Sequence, residues 1–237
     1  MRVLGDKISR SGIGTYSEKS LHKILKNTLE PDCSNHEISH LGFVAEIKNE
    51  CGIIEIQTKA FKNLRDKLDA FVPDGNVTVV YPMYKNIYRH KMTADGEITD
   101  GRLSPKHQRI YDSAYELYNI REYLKCENLR VLLLFLSVEE YVREGIEVKV
   151  AGRKRTKVRL ERIPYRIEEA VEFSAKADYL KLLPNGLPES FSITDVNKCC
   201  GKGFKRGFSI ISILKSLDLL TEGVKVGREI KYSIKEK

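Results

Sequence analysis

The sequence lacks the features that mark disulfide-rich, zinc-binding and membrane-spanning chains. Its five cysteines are an odd number and include no C-x-x-C pair, so neither a disulfide framework nor a zinc site is expected. Reduced thiols in the cytoplasm fit this pattern. The longest apolar run, about residues 131–136, is far too short to cross a bilayer. Met1 is followed by Arg2, Asp6 and Lys7 rather than an apolar run, so no secretory signal is expected.

Positive charge is the clearest compositional signal. Lys and Arg together number 41 against 33 Asp and Glu, which gives a formal net charge of +8. Such an excess favours a polyanionic partner, because neutralising phosphates releases their counterions. The length of 237 residues and the hydrophobic share of 41% allow one large domain or two smaller ones with a packed core.

The N-terminal third alternates between helical and strand patterns. Residues 1–16 are rich in Gly, Ser and Arg and are interpreted as a loose arm. Leu21, Ile24, Leu25 and Leu29 then recur at helical spacing, and alternating apolar residues follow. The pattern predicts helix, three strands, helix and strand over residues 18–29, 36–38, 41–48, 53–58, 60–71 and 77–81.

The middle of the chain combines polar turns with long apolar and basic stretches. Asp95-Gly96 marks the tip of a predicted hairpin, and Ser104-Pro105 suits a helix start. Nine basic residues against three acidic ones mark residues 143–166 as a basic hairpin inserted in the N-terminal domain. The remaining predictions are a helix from Ser104 to about residue 123, a buried strand over 129–137, and helices over 138–144 and 170–183.

The last part of the chain, residues 184–237, has its own pattern. Thr194 is a suitable N-cap for a short helix, and a glycine-containing turn separates that helix from a second one over residues 205–217. Two short predicted strands follow. Helix, turn, helix and a small hairpin is the layout of a winged helix-turn-helix.

Two glutamates, Glu46 and Glu55, lie on the two arms of one predicted hairpin. Cross-strand partners lie within about 5 Å of each other, so these carboxylates repel unless a cation lies between them. Mg²⁺ or Mn²⁺ suits such an oxygen site and can activate water at a phosphodiester. Period two places Gln57 and Lys59 on the face of Glu55, if the strand extends that far. The alternative is a pair of solvated surface glutamates, although an acid within Ile54-Glu55-Ile56 is unusual for a surface.

The motifs of this region resemble a known nuclease superfamily. An acid on one hairpin arm and E-x-K on the next, within helix, three strands, helix and strand, is the PD-(D/E)XK nuclease core, and the chain is similar to it over about residues 18–81. The chain also resembles an uncharacterised bacterial family with an E-I-Q-T motif. The residues that carry this resemblance are Ser17-Glu18-Lys19-Ser20-Leu21-His22, Val44-Ala45-Glu46, Glu55-Ile56-Gln57-Thr58, Phe61, Lys67-Leu68 and Ser104-Pro105-Lys106.

The resemblance implies a metal site. Glu46, Glu55 and the carbonyl of Ile56 would hold Mg²⁺ or Mn²⁺, and Glu18 would join directly or through water. Gln57 occupies the place of the lysine that orients the attacking water. The chain departs from the superfamily pattern twice here: Glu46 replaces an aspartate, and Gln57, whose amide carries no charge, replaces that lysine.

Several residues are candidates for contacts with nucleic acid. Lys26 lies on the predicted first helix, four residues after His22, and both could contact phosphate. The Arg153-Lys154-Arg155 tip of the basic hairpin is a candidate phosphate-contacting loop. In the C-terminal part the candidates are Lys205, Arg206 and Ser209 near the second helix and Arg228 on the wing. Solvated loops and contacts with protein are the alternatives.

The sequence therefore predicts an α/β protein with a restriction-endonuclease-like αβββαβ core at residues 17–183 and a winged-helix domain at residues 184–237. The leading hypothesis is a Mg²⁺-dependent DNA endonuclease in the cytoplasm, with no membrane contact. The alternatives are a non-catalytic DNA-binding regulator built on a degenerate nuclease fold and a protein that binds or processes RNA. Because duplex-cutting nucleases often act at two sites, a homodimer also stays open.

Overall fold

Helices and strands alternate along the chain around one large sheet. The computed structural model describes residues 17–93, 97–150 and 153–235. The helices are α1 (Ser17–Leu29), α2 (Arg65–Asp74), α3 (Ala114–Asn119), α4 (Ile193–Cys200) and α5 (Gly207–Ser216). The strands are β1 (His36–His40), β2 (Phe43–Asn49), β3 (Gly52–Ile56), β4 (Val77–Met92), β5 (Arg102–Leu103), β6 (Leu129–Val150), β7 (Arg153–Phe173), β8 (Leu220–Val226) and β9 (Glu229–Ile234).

Seven strands form the large sheet, in the order β1-β2-β3-β4-β6-β7 with β5 beside β4. β1, β2 and β3 are antiparallel neighbours, whereas β4 runs parallel to both β3 and β6. A parallel pair needs a crossover, and α2 lies in the one between β3 and β4. β6 and β7 form a long antiparallel pair at the far edge. The fold is therefore mixed α/β, which confirms the predicted class at this level.

Alternation along β4 divides its side chains between the two faces of the sheet. Val79 and Tyr81 belong to a large hydrophobic cluster that also contains Leu68 of α2 and residues of α3. Val80 belongs to a smaller cluster with Leu25 of α1. Helix α1 therefore covers one face, and α2 and α3 cover the other. The end of β3, next to β4, lies between these two layers.

The C-terminal helices pack on the α2 face of the sheet. Helix α4 begins after Ser192, whose hydroxyl accepts the Asp195 N–H at 3.2 Å while the Asp195 carboxylate accepts the Ser192 N–H at 2.8 Å. Ser192, not Thr194, is the N-cap. The predicted order of two helices and a hairpin is confirmed. Ile210 of α5 shares the large hydrophobic cluster with the sheet, and the division into two domains stays a prediction.

Three predicted helices are wrong in whole or in part. Residues 138–144 belong to β6, because they pair with β4 on one side and β7 on the other, and this pairing outweighs local helix preference. The helix predicted over residues 170–183 is strand as far as Phe173 and then a 3-10 helix, Lys176–Leu182. In the described chain, helical structure after Ser104-Pro105 starts only with the 3-10 helix Ile110–Ser113.

The basic hairpin turns at a different place from the one predicted. Val150 pairs with Arg153, and residues 151–152 lie outside the described residues. Arg153-Lys154-Arg155 therefore begins β7 instead of forming a tip. The predicted arm, residues 1–16, and the Asp95-Gly96 tip also lie outside the described residues. Among the described residues, no helix has the length and apolar character needed to cross a membrane.

Candidate active site

Glu55 lies at the end of β3, where β2 and β3 part. The last paired residues of these strands are Ile47 and Ile54, so Glu46 and Glu55 come next on each strand. The Glu46 N–H donates to Glu55 Oε1 at 3.3 Å. Only 2% of the surface of Glu55 is exposed. The structure thus brings two predicted site residues together at the point where two strands separate.

Lys67 of α2 is the charged partner of Glu55. Its Nζ donates to Glu55 Oε2 at 2.7 Å and to the Val44 carbonyl at 2.7 Å. The next residue, Leu68, is fully buried in the core, which fixes the side of α2 that faces the sheet. The sequence pattern did not predict a role for Lys67. The sequence did contain a signal for such a partner, because Glu55 lies between Ile54 and Ile56. An acid in an apolar strand is expected to be buried, and a buried carboxylate needs a paired charge.

The surroundings of Glu55 make its ionised form costly. Burial, the strongest influence, raises the pKa of Glu55 above its ordinary value of 4.5, and the nearby Glu46 carboxylate adds to the rise. Lys67 opposes the rise through its hydrogen bond and its charge. A divalent cation would lower the pKa of Glu55 as Lys67 does, because it supplies positive charge to a carboxylate that is shielded from water.

Glu46 faces a polar cleft on the α1 side. His22 Nδ1 lies 3.3 Å from Glu46 Oε1, and both side chains are about a quarter exposed, at 25% and 23%. The cleft has a volume of about 940 Å³, and Lys23, Lys26 and His36 are among its lining residues. Glu37 also lines the cleft, so two lysines face two carboxylates there.

Gln57 and Lys59 follow the end of β3. The Gln57 N–H donates to the Val80 carbonyl at 2.9 Å, and its side-chain Nε2 donates to the Lys59 carbonyl at 2.5 Å. Because β3 ends at Ile56, strand alternation does not place Lys59 on the face of Glu55. The Ile56 side chain is fully buried, and this residue pairs with Val80 of β4.

Other predicted residues lie in different surroundings. Glu18 is in α1, but its side chain lies outside the described residues, as do those of Arg153, Lys154 and Arg155. Lys26 forms an ion pair with Glu37 at 2.7 Å. That pair would have to exchange for a phosphate if Lys26 binds nucleic acid.

The candidates near α5 divide into exposed and buried residues. Lys205, Arg206 and Arg228 are exposed. Ser209 is only 7% exposed, so its hydroxyl cannot make the phosphate contact expected of it in this conformation. Helix α5 is apolar on most sides, as shown by the burial of Ile210 and its neighbours.

Glu46 and Glu55 offer carboxylate oxygens, the ligand type that a hard divalent cation prefers. Mg²⁺ takes carboxylate oxygens and keeps several waters, so two protein carboxylates can suffice. Lys67 donates to Glu55 Oε2, whereas Oε1 accepts the long bond from the Glu46 N–H. In the portion of the chain that the structure describes, no group of three or more His, Cys, Asp or Glu side chains forms a metal site.

Comparison with known proteins places these residues in a family. The profile of a family described as a domain of unknown function (DUF8091) matches residues 19–174, which run from α1 to the end of β7. An uncharacterized protein of Treponema pallidum (strain Nichols) is 28% identical over 190 residues, or 78% of this chain and 73% of that protein. No solved structure matches the chain significantly. Because the profile spans well over half of the sequence and includes Glu46, Glu55 and Lys67, the chain belongs to the DUF8091 family.

Proposed function

We propose that the chain is a metal-dependent nuclease that hydrolyses phosphodiester bonds in DNA. The observation that carries the proposal is Glu55, which is 2% exposed, lies beside Glu46 and is 2.7 Å from Lys67. A buried acid with an acidic neighbour and a cation is costly to fold, and such groups concentrate at functional sites. The order of α1, β1 to β3, α2 and β4 supports the proposal, because the restriction-endonuclease-like core that the sequence resembles has this order.

The metal ligands in this proposal are Glu46, Glu55 and the Ile56 carbonyl. A bound Mg²⁺ or Mn²⁺ supplies Lewis-acid chemistry at the scissile phosphate and lowers the pKa of a bound water. Glu55 is held by β3 and Lys67, and Glu46 is held by its contact with His22. His22 is therefore a positioning residue, since it contacts a ligand and fixes the direction of its carboxylate.

Lys67 replaces the missing lysine of the E-I-Q motif in this proposal. Its ammonium is anchored to the Val44 carbonyl as well as to Glu55, so its position is set before substrate arrives. A fixed cation beside the phosphate stabilises negative charge that develops during hydrolysis. Gln57 is less suited to this task, because its amide is neutral and already donates to the Lys59 carbonyl.

The C-terminal part holds the nucleic acid in this proposal. Helices α4 and α5 and the β8–β9 hairpin would act as a winged helix-turn-helix. Exposed Lys205, Arg206 and Arg228 give this unit a cationic surface. Phosphate contacts of this kind position a nucleic acid without reading its sequence.

A second candidate function is a DNA-binding regulator with an inactive nuclease fold. Two contacts favour it. Lys67 occupies one oxygen of Glu55, and the Gln57 amide is held by the Lys59 carbonyl. If Lys67 serves only to neutralise a buried acid, the fold needs no metal.

A cleavage assay with Mn²⁺ separates these functions. The purified chain would be incubated with plasmid, single-stranded DNA and RNA, each with Mn²⁺ and with EDTA. The nuclease proposal expects Mn²⁺-dependent loss of a DNA substrate. Cleavage of RNA alone would overturn the choice of DNA. Intact substrates throughout, together with salt-sensitive DNA binding in gel shifts, would favour the regulator.

A further inference from the structure

Helices α3 and α5, which pack against each other, each carry an exposed aromatic side chain. Tyr115 is 51% exposed and Phe208 is 56% exposed. The Phe208 ring centroid is 5.8 Å from that of Tyr118, which holds it against α3. Exposed large aromatic groups clustered in one place are typical of binding surfaces.

A cationic pocket borders this aromatic surface. It has a volume of about 440 Å³ and is lined by residues 105–109, Asp112 and Arg206. Its cations are Lys106, Arg109 and Arg206, with His107 beside them, and Asp112 is the acidic side chain among its lining residues. The Asp112 carboxylate accepts the Arg109 N–H at 2.8 Å and lies 3.7 Å from Arg109 Nε, so one acid faces three cations. The pocket therefore keeps an excess of positive charge suited to a phosphate.

Backbone contacts give the pocket a fixed shape. Gln108 N donates to the Tyr84 carbonyl at 2.7 Å, and Tyr84 N donates to Gln108 Oε1 at 2.8 Å. These bonds attach the segment that contains Ser104-Pro105-Lys106 to β4. That motif, which carries part of the family resemblance and lacked a chemical role, thereby presents Lys106 to the pocket.

Arg206 joins the pocket to the aromatic surface. Its guanidinium carbon lies 5.4 Å from the Tyr115 ring centroid, and its Nη1 donates to the Asp112 carbonyl at 3.2 Å. Because Arg206 lies over one face of the Tyr115 ring, a base that stacks on this ring would take the opposite face while Arg206 contacts a phosphate. Alternating stacking surfaces and cations are the elements of single-strand recognition.

We propose that the pocket of Lys106, Arg109 and Arg206 and the rings of Tyr115 and Phe208 together bind unpaired nucleotides of a nucleic acid. Phosphate groups enter the pocket, and bases stack on the two rings. A regular duplex cannot offer its bases in this way, because they are stacked on one another. The inference implies that the nuclease acts on nucleic acid with a single-stranded segment. This implication about substrate choice rests on the proposed function.

The site lies on the same side of the sheet as Glu55. Glu116 of α3, next to Tyr115 in sequence, accepts the Phe61 N–H at 2.9 Å. Phe61 lies in the connection between β3 and α2, which are the elements of Glu55 and Lys67. The aromatic surface is thus connected to the candidate active site through one packed layer.

Fluorescence anisotropy of a labelled oligo(dT) in EDTA tests this inference without requiring cleavage. Tyr115→Ala and Phe208→Ala are each expected to weaken binding about tenfold or more, because stacking on an aromatic ring contributes strongly to single-strand affinity. Arg206→Gln is expected to lower the slope of log K against log salt by about 0.7, the value for one phosphate contact on a single strand. Melting curves would show whether each variant is folded.

Matched controls exist elsewhere on the surface. Lys125→Gln removes an exposed cation after α3, and Tyr88→Ala removes an aromatic residue that is 40% exposed on β4. Both are expected to bind oligo(dT) like the wild type. The affinity for a blunt duplex should be the same in Tyr115→Ala as in the wild type.

Three results would overturn the inference. The first is wild-type oligo(dT) affinity in folded Tyr115→Ala and Phe208→Ala. The second is a loss of affinity in the control variants equal to that in the aromatic variants. The third is a loss of self-association in the aromatic variants without a loss of oligo(dT) binding, which would indicate a protein interface. The binding assay needs neither metal nor Glu55. A protein that binds oligo(dT) as expected but cleaves no substrate would therefore contradict the nuclease proposal and still support this binding site.

Discussion

The Lys67 ammonium lies 2.7 Å from the buried carboxylate of Glu55. This pair joins α2 to the end of β3. Lys67 is partly exposed, at 25% for its side chain, whereas Glu55 is almost fully enclosed. The two partners are therefore unequal: Lys67 can turn to water if the pair breaks, but Glu55 cannot.

Removal of Lys67 should destabilise the fold. In Lys67→Met, Glu55 loses its cation, and leaving a buried charged acceptor without its partner costs on the order of 1–3 kcal/mol. Urea unfolding at neutral pH measures the change. The double variant Glu55→Gln with Lys67→Met should recover most of the loss, because no unpaired charge is left. A Lys67→Met protein as stable as the wild type would show that the pair contributes nothing to folding.

The raised pKa of Glu55 predicts a specific dependence of stability on pH. The pKa of Glu55 is higher in the folded protein than in the unfolded chain, so protonation of Glu55 stabilises the fold. This stabilisation is complete below pH 4.5, the ordinary pKa, and it is lost as the pH rises through the folded-state pKa. Without divalent metal, the wild type should therefore lose stability relative to Glu55→Gln as pH rises above about 4.5. Melting temperatures of both proteins across pH measure this. A constant difference would contradict the raised pKa.

Added Mg²⁺ or Mn²⁺ should raise the melting temperature of the wild type, because a ligand that binds only the folded state stabilises it. Glu55→Gln should lose most of this rise, since a neutral amide is a poor ligand for a hard cation. Glu50→Gln, an exposed acid in the β2–β3 turn, is the matched control and should keep the full rise. An equal rise in all three proteins would place the metal elsewhere.

Lys67 and Gln57 should differ in their effect on cleavage. Lys67→Met removes a fixed cation from the site and should lower kcat by on the order of 10²–10³. Gln57→Ala should lower it much less, because that amide is held by the Lys59 carbonyl. Single-turnover rates with Mn²⁺ compare the two. A larger loss of kcat in Gln57→Ala than in Lys67→Met would assign the role of the motif lysine to Gln57.

The C-terminal helices should depend on the cap at Ser192. Ser192→Ala removes the acceptor for the Asp195 N–H and should cost about 1 kcal/mol, whereas Ser192→Thr should cost less. Calorimetry should show one transition for both, because Ile210 and Phe173 belong to one hydrophobic cluster. A separate early transition in Ser192→Ala would show that α4 and α5 unfold on their own.

The N-terminal elements could be predicted because their signals are local. Alternation over β2 and β3 and helical spacing over α1 give the correct element types, with bounds shifted by a few residues. Residues 138–144 show the limit of this approach. Their glutamates favour helix locally, but β4 and β7 pair with them from both sides.

The candidate site shows a similar division between local and distant information. Glu46 and Glu55 follow from one hairpin, so their proximity could be predicted from the sequence. Lys67 could not be placed in this way, because only the crossover through α2 brings it to Glu55. Ser209 was misjudged because the helix around it is buried on most sides by α3, α4 and the β8–β9 hairpin, which no single-helix pattern reveals.

The most direct test of the account is the rate of Mn²⁺-dependent DNA cleavage by the wild type, Glu55→Gln and Glu50→Gln. The account predicts cleavage by the wild type and Glu50→Gln that EDTA stops, and a loss on the order of 100-fold or more in folded Glu55→Gln. Equal rates in Glu55→Gln and the wild type, or no cleavage by the wild type, would contradict it.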